Sequence, residues 1–150
     1  MKELTERMIS ELENGRSAVL CTVLASSGSS PRGAGARMLV LSDGSTIGTV
    51  GGGRVELLAA QDGAEILKTG QNRLRAFDLV PNQVNSIGMV CGGRVSIYYQ
   101  LMTQAELPIL YQMRKALTED KNSWLYLKLE DGRVEDFRIV DEAGAKAEPE

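Results

Sequence analysis

The sequence predicts an α+β fold: a single domain with a mixed or antiparallel sheet, a few packed helices and a C-terminal β-hairpin. Short apolar or alternating stretches predict several strands, and three longer stretches repeat apolar residues at the period of a helix. The two kinds of stretch follow each other without regular βαβ spacing, which favours α+β over a doubly wound fold. With 150 residues, the chain has the size of one ordinary domain that buries a single core.

Helical periodicity occurs in residues 2–14, 54–69 and 108–117. Asn14-Gly15 follows the first stretch as a stop signal, and Gly70 follows the second. Asp62-Gly63 interrupts the second pattern in its middle, whereas Pro108 suits the first turn of the third helix. The three faces are made of Leu4, Met8, Ile9 and Leu12; of Val55, Leu58, Ala59 and Ile66; and of Leu110, Met113, Arg114 and Leu117.

Residues 17–24 form a short, almost wholly apolar run, which predicts a strand buried on both faces with Cys21 inside it. Val95, Ile97, Tyr99 and Leu101 alternate with polar or amphipathic residues, which predicts another strand. The remaining predicted strands are residues 37–41, 45–50 after the turn Ser42-Asp43-Gly44, 73–80, 124–129, and 134–140 after the turn Asp131-Gly132.

We expect the folded domain to cover residues 1–140 and residues 141–150 to form a flexible acidic tail. The tail is rich in Ala, Glu and Lys and carries too little apolar surface to fold alone.

Composition excludes several classes of function. Hydrophobic residues make up 43% of the chain and the net charge is -3, which argues against a general nucleic-acid binder. No apolar run approaches the roughly 20 residues that cross a bilayer, and no signal peptide is recognisable at the start. We therefore expect a cytoplasmic protein without membrane contact, whose two cysteines stay reduced. Because the chain has no histidine, Ser-His and Cys-His catalysis and the common histidine-containing zinc sites are excluded.

Two glycine-rich segments share the pattern Gly-Gly-Arg-Val: residues 48–56 and residues 88–95. Gly51, Gly52 and Gly53 precede a predicted helix, where backbone N–H groups and the helix dipole could face an anion. The spacing matches neither a Walker motif nor a dinucleotide fingerprint. The alternative is a tight turn that needs positive φ angles. Glu56 lies in the first helical turn, where the dipole favours a carboxylate with or without a function.

Two further features could carry chemistry. Ser30-Pro31-Arg32-Gly33 presents a guanidinium that suits phosphate or carboxylate, and the alternatives are a solvated arginine or one paired with Glu56. Cys91 precedes Gly92 and Gly93, a setting that can expose a thiol and favour its thiolate, although packing at a strand start explains it equally well. Cys21 is interpreted as a small buried hydrophobe.

Taken together, these motifs resemble the XdhC/CoxI family, the accessory proteins of xanthine dehydrogenase and related molybdenum hydroxylases. The resemblance runs through residues 29–38, 51–56 and 88–93 in the order that the family shows. It assigns cofactor-binding positions to Ser30, Arg32, Gly33, Gly51, Gly52, Gly53, Glu56, Cys91, Gly92 and Gly93, with no catalytic residue and with Cys91 as the residue nearest molybdenum.

The resemblance implies a maturation chaperone that is not an enzyme. Such a protein binds molybdenum cofactor (molybdopterin) as cargo, protects it and delivers it to a xanthine dehydrogenase-like hydroxylase, and a cysteine desulfurase is a further partner. Longer family members continue into a Rossmann-like domain, but this sequence holds no Gly-x-Gly-x-x-Gly segment, so NAD binding is not expected.

Two alternative functions stay open. The chain could be an interaction module that docks a desulfurase or hydroxylase without binding cofactor, or an enzyme that transfers persulfide sulfur through Cys91. A homodimer is the ordinary expectation for a small protein.

Overall fold

The computed structural model describes residues 1–24, 35–79, 93–119, 123–130 and 133–141. In these ranges the helices are α1 (Lys2–Glu13), α2 (Gly53–Thr69) and α3 (Leu107–Thr118), with a 3-10 turn at Gln104–Glu106 before α3. The strands are β1 (Ala18–Leu24), β2 (Arg37–Val40), β3 (Thr46–Gly48), β4 (Arg73–Leu79), β5 (Gly93–Met102), β6 (Ser123–Glu130) and β7 (Arg133–Asp141).

The described strands form a five-stranded sheet in the order β3-β2-β1-β5-β4 and a separate β6-β7 hairpin. Every pairing is antiparallel, which confirms the predicted α+β class and narrows the sheet to the antiparallel type. The C-terminal hairpin is confirmed as well, and β7 lies beside α3.

The sheet lies between two layers of helix. α2 packs on one face, where it covers β1, β2 and β5, and α1 packs on the other face together with α3. β1 is the central strand, and its side chains point alternately into the two cores: Val19, Cys21 and Val23 into the α2 side, Ala18 and Leu20 into the α1 side. The prediction of a strand buried on both faces is therefore confirmed.

Several predicted details differ in the structure. β2 ends at Val40 and β3 covers only Thr46–Gly48. The Leu41 N–H still donates to the Ser45 carbonyl at 2.9 Å, where the two residues close the turn, and Gly48 ends β3 with a φ angle of 82°. Leu117 was expected on the packed face of α3 but is 40% exposed, whereas Leu110 and Met113 are buried. The helical period keeps Leu117 on the face of these two residues, but Leu117 belongs to the last turn of α3, which ends at Thr118.

The interruption at Asp62-Gly63 does not break α2, because both residues have packing roles. The ideal Cβ of an alanine at position 63 would lie 2.7 Å from Cγ2 of Val40, so glycine lets the helix approach β2 closely. Asp62 is only 5% exposed and faces the sheet.

Asp62 holds α2 to β4 and β5. The Arg75 guanidinium donates from Nη1 to both carboxylate oxygens at 2.7 and 2.8 Å, and Arg73 Nη1 donates to Oδ1 at 3.3 Å. The Tyr99 hydroxyl donates to Oδ2 at 2.9 Å. Burial, together with this carboxylate, raises the pKa of Tyr99. The buried charge is therefore paired and hydrogen-bonded, as burial of a carboxylate requires.

We predict that Gly63→Ala destabilises the protein by about 1 to 3 kcal/mol, although alanine favours helix, because the new methyl group overpacks against Val40. Urea denaturation measures the loss. Gln61→Ala, at an exposed position of the same helix, is the control and should cost nothing. Val40→Ala combined with Gly63→Ala should recover part of the loss, and an additive double variant would contradict this explanation.

We predict that Asp62→Asn lowers the free energy of unfolding by roughly 2 to 4 kcal/mol, because it leaves two half-buried guanidinium groups without their shared carboxylate. Glu65→Gln is the matched control. It removes the other carboxylate that pairs with Arg73, but Glu65 is 58% exposed, so the change should stay below about 1 kcal/mol. Equal losses in the two variants would be inconsistent with a pinning role for Asp62.

Candidate functional site

The three sequence motifs adjoin strand termini that all lie at one end of the main sheet. Leu24, the last residue of β1, pairs with Ser96 near the start of β5, and Thr22 pairs with Arg37 at the start of β2. Gly48 at the end of β3 pairs with Met38, and the end of β4 pairs with Gly93. We call this the loop end of the sheet. Residues 25–34 and 80–92, which lie outside the described part, connect strands there, and residues 49–52 lead from there into α2.

The described part includes half of the predicted site residues. Gly51 and Gly52 lie in the turn before α2, Gly53 and Glu56 lie in its first turn, and Gly93 is the first residue of β5. The remaining predicted residues, Ser30, Arg32, Gly33, Cys91 and Gly92, lie outside the described residues.

The glycine-rich turn from Gly48 to Gly53 needs its glycines. Gly51, Gly52 and Gly53 have φ angles of 122°, 80° and 63°, which side chains rarely tolerate. Gly48 has a φ angle of 82°, and a Cβ there would lie 2.5 Å from the carbonyl oxygen of Arg37. The prediction that these glycines supply positive φ angles is confirmed, and they keep the backbone of the turn free of side chains.

Glu56 closes this turn onto α2. Its Oε1 accepts hydrogen bonds from the Thr49 hydroxyl and from the backbone N–H of Val50, the latter at 3.3 Å. The Thr49 hydroxyl oxygen in turn accepts from the N–H of Gly51 at 3.0 Å. The Glu56 carboxylate therefore positions the turn at the N-terminus of α2, where the helix dipole favours it. Sequence analysis missed Thr49, since nothing in the sequence indicates that a threonine seven residues earlier would reach Glu56.

Arg37 is a site residue that sequence analysis missed. It lies near the end of the first motif, residues 29–38, and its carbonyl oxygen accepts from the N–H of Thr49 at 3.2 Å, so it joins this motif to the glycine-rich turn. Its Nε is buried without a hydrogen-bond partner, and its Nη1 donates to the Gly35 carbonyl at the long distance of 3.5 Å. Desolvation lowers the pKa of Arg37. The available sequence signal was an arginine that opens an otherwise apolar strand.

Polar residues mark the loop end on the α1 side of the sheet. Arg37, Thr22 and Tyr98 occupy one row across β2, β1 and β5, and burial raises the pKa of Tyr98. Farther from the loop end, the same face carries Leu39, Leu20, Leu41, Ala18 and Met102, which pack under α1 and α3. This face therefore changes from apolar to polar toward the loop end.

Cys21 lies in the core on the α2 side and is fully buried. Burial raises the pKa of its thiol to about 12, and the nearby Asp62 charge adds to this effect. The interpretation of Cys21 as a small buried hydrophobe is confirmed by its place in this core.

The described residues hold neither a metal-binding cluster nor a membrane-spanning helix. No group of three or more Cys, Asp or Glu side chains within them is arranged to hold a metal ion. None of the described helices is both long and apolar enough to span a membrane.

Known proteins resemble this chain in sequence and in fold. Residues 11–78 match the XdhC and CoxI family. The chain is 35% identical over 79 residues to the uncharacterized protein YqeB of Escherichia coli, a match that covers 53% of the chain and 14% of YqeB. It is 32% identical over 109 residues to the molybdenum cofactor insertion chaperone PaoD of Escherichia coli, which covers 68% of the chain and 31% of PaoD.

A solved structure from Bacillus halodurans, described as a xanthine dehydrogenase, shares the fold. Its TM-score is 0.72 at 23% identity, over 93% of this chain and 41% of the other. The chain thus spans less than half of each of these three proteins. The family match begins inside α1 and ends in β4, so it includes the glycine-rich turn, Arg37, and Asp62 with its two arginine partners. By this match, residues 11–78 of the chain belong to the XdhC and CoxI family.

Proposed function

We propose that this chain binds molybdenum cofactor as cargo at the loop end of its sheet and delivers it to a molybdenum hydroxylase of the xanthine dehydrogenase type. The observation that carries the proposal is the similarity to a molybdenum cofactor insertion chaperone over 109 residues. The attachment of the three motif segments to strands at the loop end also supports it, because one ligand could then contact all of them.

The described residues fit an anionic ligand that comes close to the backbone. The turn with Gly51, Gly52 and Gly53 carries no side chains and stands at the N-terminus of α2, where N–H groups and the helix dipole favour negative charge. The N–H of Thr49, in this turn, donates to the backbone carbonyl oxygen of Arg37. The buried Nε of the Arg37 side chain has no hydrogen-bond partner. In the proposal, Arg32 adds a planar guanidinium that holds the phosphate or the edge of the pterin.

Cys91 supplies the other half of the proposed site. The cofactor carries molybdenum on a dithiolene, and a thiol is a soft ligand suited to that end. In the proposal Cys91 lies near the molybdenum, while Gly92 and Gly93 let the backbone approach. Gly93 begins β5 at the loop end, which supports this assignment.

A chaperone of this kind needs no catalytic base. Its task is to enclose a labile group and release it, so a difference in affinity between two states suffices. Release then requires the hydroxylase to bind the cofactor more tightly or to open the site. A cysteine desulfurase that supplies sulfur to the bound cofactor is the second proposed partner, and the cytoplasm is the proposed compartment.

The second candidate function is an interaction module that docks a hydroxylase or desulfurase without holding cofactor. The hydrogen bonds among Glu56, Thr49 and Val50 favour it to this extent: they explain the glycine-rich turn as local structure without any ligand. Titration with isolated molybdenum cofactor separates the two functions. No binding, together with intact capture of the partner, favours the module.

We predict that the protein purified from cells that make molybdenum cofactor carries a pterin, detected by mass spectrometry and by fluorescence after oxidation. Arg32→Ala should weaken cofactor binding by roughly 1 to 3 kcal/mol, the range for a hydrogen bond to a charged group. Arg114→Ala is the control, because Arg114 lies on α3 and is 44% exposed. Equal affinity in wild type and Arg32→Ala would reject the role of Arg32.

We predict that Cys91→Ser weakens retention or transfer of sulfurated cofactor and leaves the fold intact, as measured by activation of an apo-hydroxylase. Cys21→Ala is the control. In the folded Cys91→Ser protein, Cys21 should resist thiol reagents at mildly alkaline pH, because its pKa is about 12, and should react only after unfolding. Unchanged cofactor retention and unchanged activation would remove Cys91 from the site.

A further inference from the structure

We propose that Arg37 is a second anion-binding residue at the loop end and holds a phosphate group on the α1 side of the sheet. For the identity of the ligand, a phosphate carried by the cofactor, the inference rests on the proposed function. The existence of an anion site is argued from Arg37 alone. Neither the sequence motifs nor the family match assigns a role to this residue.

Four other arginines of this chain are paired with buried carboxylates. Arg7 and Arg16 both bind Glu11, and Arg73 and Arg75 both bind Asp62. In each case two guanidinium groups share one carboxylate that is at most 8% exposed in its side chain. Among the described residues, Arg37 pairs with no carboxylate. Its Nε is buried and has no hydrogen-bond partner.

The two segments that connect strands at the loop end supply no carboxylate to Arg37. Residues 25–34 and 80–92, which connect strands at the loop end, contain no Asp and no Glu. Glu56 in the adjacent turn already accepts hydrogen bonds from Thr49 and Val50. A guanidinium that loses water without gaining an anion destabilises the fold, so its presence calls for a partner from outside the chain.

Arg37 opens β2 at the loop end of the sheet, opposite Thr22 of β1. By the alternation of β2, Arg37 shares a face with Leu39 and Leu41, which is the α1 side. α1 covers this face. The start of α2, with the glycine-rich turn, belongs to the other face. A ligand that contacts both would therefore lie across the loop end, with its phosphate toward Arg37.

The terminal amines of Arg37 are the groups that an anion can reach. Nη1 contacts the Gly35 carbonyl at only 3.5 Å, and this weak contact lies at an exposed position. A phosphate oxygen would replace it with a shorter, charge-assisted hydrogen bond. The buried stem and Nε keep the guanidinium in place, because burial limits the rotamers that the side chain can adopt.

The test measures the thermal stabilisation of the purified protein by millimolar inorganic phosphate at constant ionic strength, and then its affinity for isolated molybdenum cofactor. The variants are Arg37→Gln, which removes the charge, and Arg37→Lys, which keeps the charge but loses the planar fork. Arg114→Gln is the matched control, since Arg114 is exposed and lies at a distance of 3.9 Å from its partner Glu6.

We expect phosphate to stabilise wild type and Arg114→Gln alike. The apparent affinity for phosphate should be about tenfold or more lower in Arg37→Gln than in wild type, and intermediate in Arg37→Lys. Without phosphate, Arg37→Gln should melt at the same temperature as wild type or higher, because it removes a half-buried charge that pairs with no carboxylate among the described residues. An equal phosphate response in wild type and Arg37→Gln would overturn the proposal. So would a marked loss of stability in Arg37→Gln, which would identify a structural arginine.

The cofactor titration distinguishes this inference from the proposed function. If wild type binds phosphate through Arg37 but does not bind the cofactor, the anion site stands and the proposed function fails. If the cofactor binds wild type and Arg37→Gln with equal affinity, the proposed function stands and the role of Arg37 is refuted.

Discussion

The register of the central strand β1 is the constraint on which the rest of this structure depends. β1 pairs with β2 on one side and with β5 on the other, and its residues point alternately into the two cores. A shift of one residue would exchange the two faces, moving Cys21 toward α1 and Thr22 into the apolar core under α2. Burial on both faces therefore fixes one register. That register aligns Thr22 with Arg37 and Tyr98, so the polar row at the loop end follows from the packing of the apolar residues elsewhere on the strand.

The antiparallel order of the sheet also decides where function can lie. β1 leads into β2, and β4 leads into β5, by connections at the loop end, and β3 leaves the sheet there toward α2. Segments far apart in the sequence are thus anchored to neighbouring strands. The scaffold around them is rigid, because the Asp62 contacts hold α2 to β4 and β5 and the Gly63 contact lets α2 lie close on β2. Binding loops on such a scaffold can be positioned without forming part of the core.

Sequence patterns were sufficient wherever the cause was local. Alternation from Val95 to Leu101 predicted β5, and the density of glycine from Gly51 to Gly53 predicted positive φ angles. The interruption at Asp62-Gly63 was visible, but its reason was not, because Asp62 meets Tyr99, which lies 37 positions later in the chain. Arg37 was missed for a related reason. The lack of a partner depends on which carboxylates the fold brings near, and only the register of the strands determines that.

The distribution of charge links the fold to the proposed handover of cargo. Where a guanidinium stabilises the structure, as at Asp62 and Glu11, the chain provides a buried carboxylate. At the loop end it provides none to Arg37 among the described residues, so the empty state retains part of the desolvation cost of this half-buried guanidinium. An anionic cargo would offset that cost and stabilise the loop end, whereas its departure would restore the cost. The chain would then hold the cargo more tightly than a site of the same contacts without that cost, since binding relieves the cost and release restores it. An acceptor enzyme needs only to offer better-paired charges to the same phosphate, and transfer then proceeds downhill without a catalytic step.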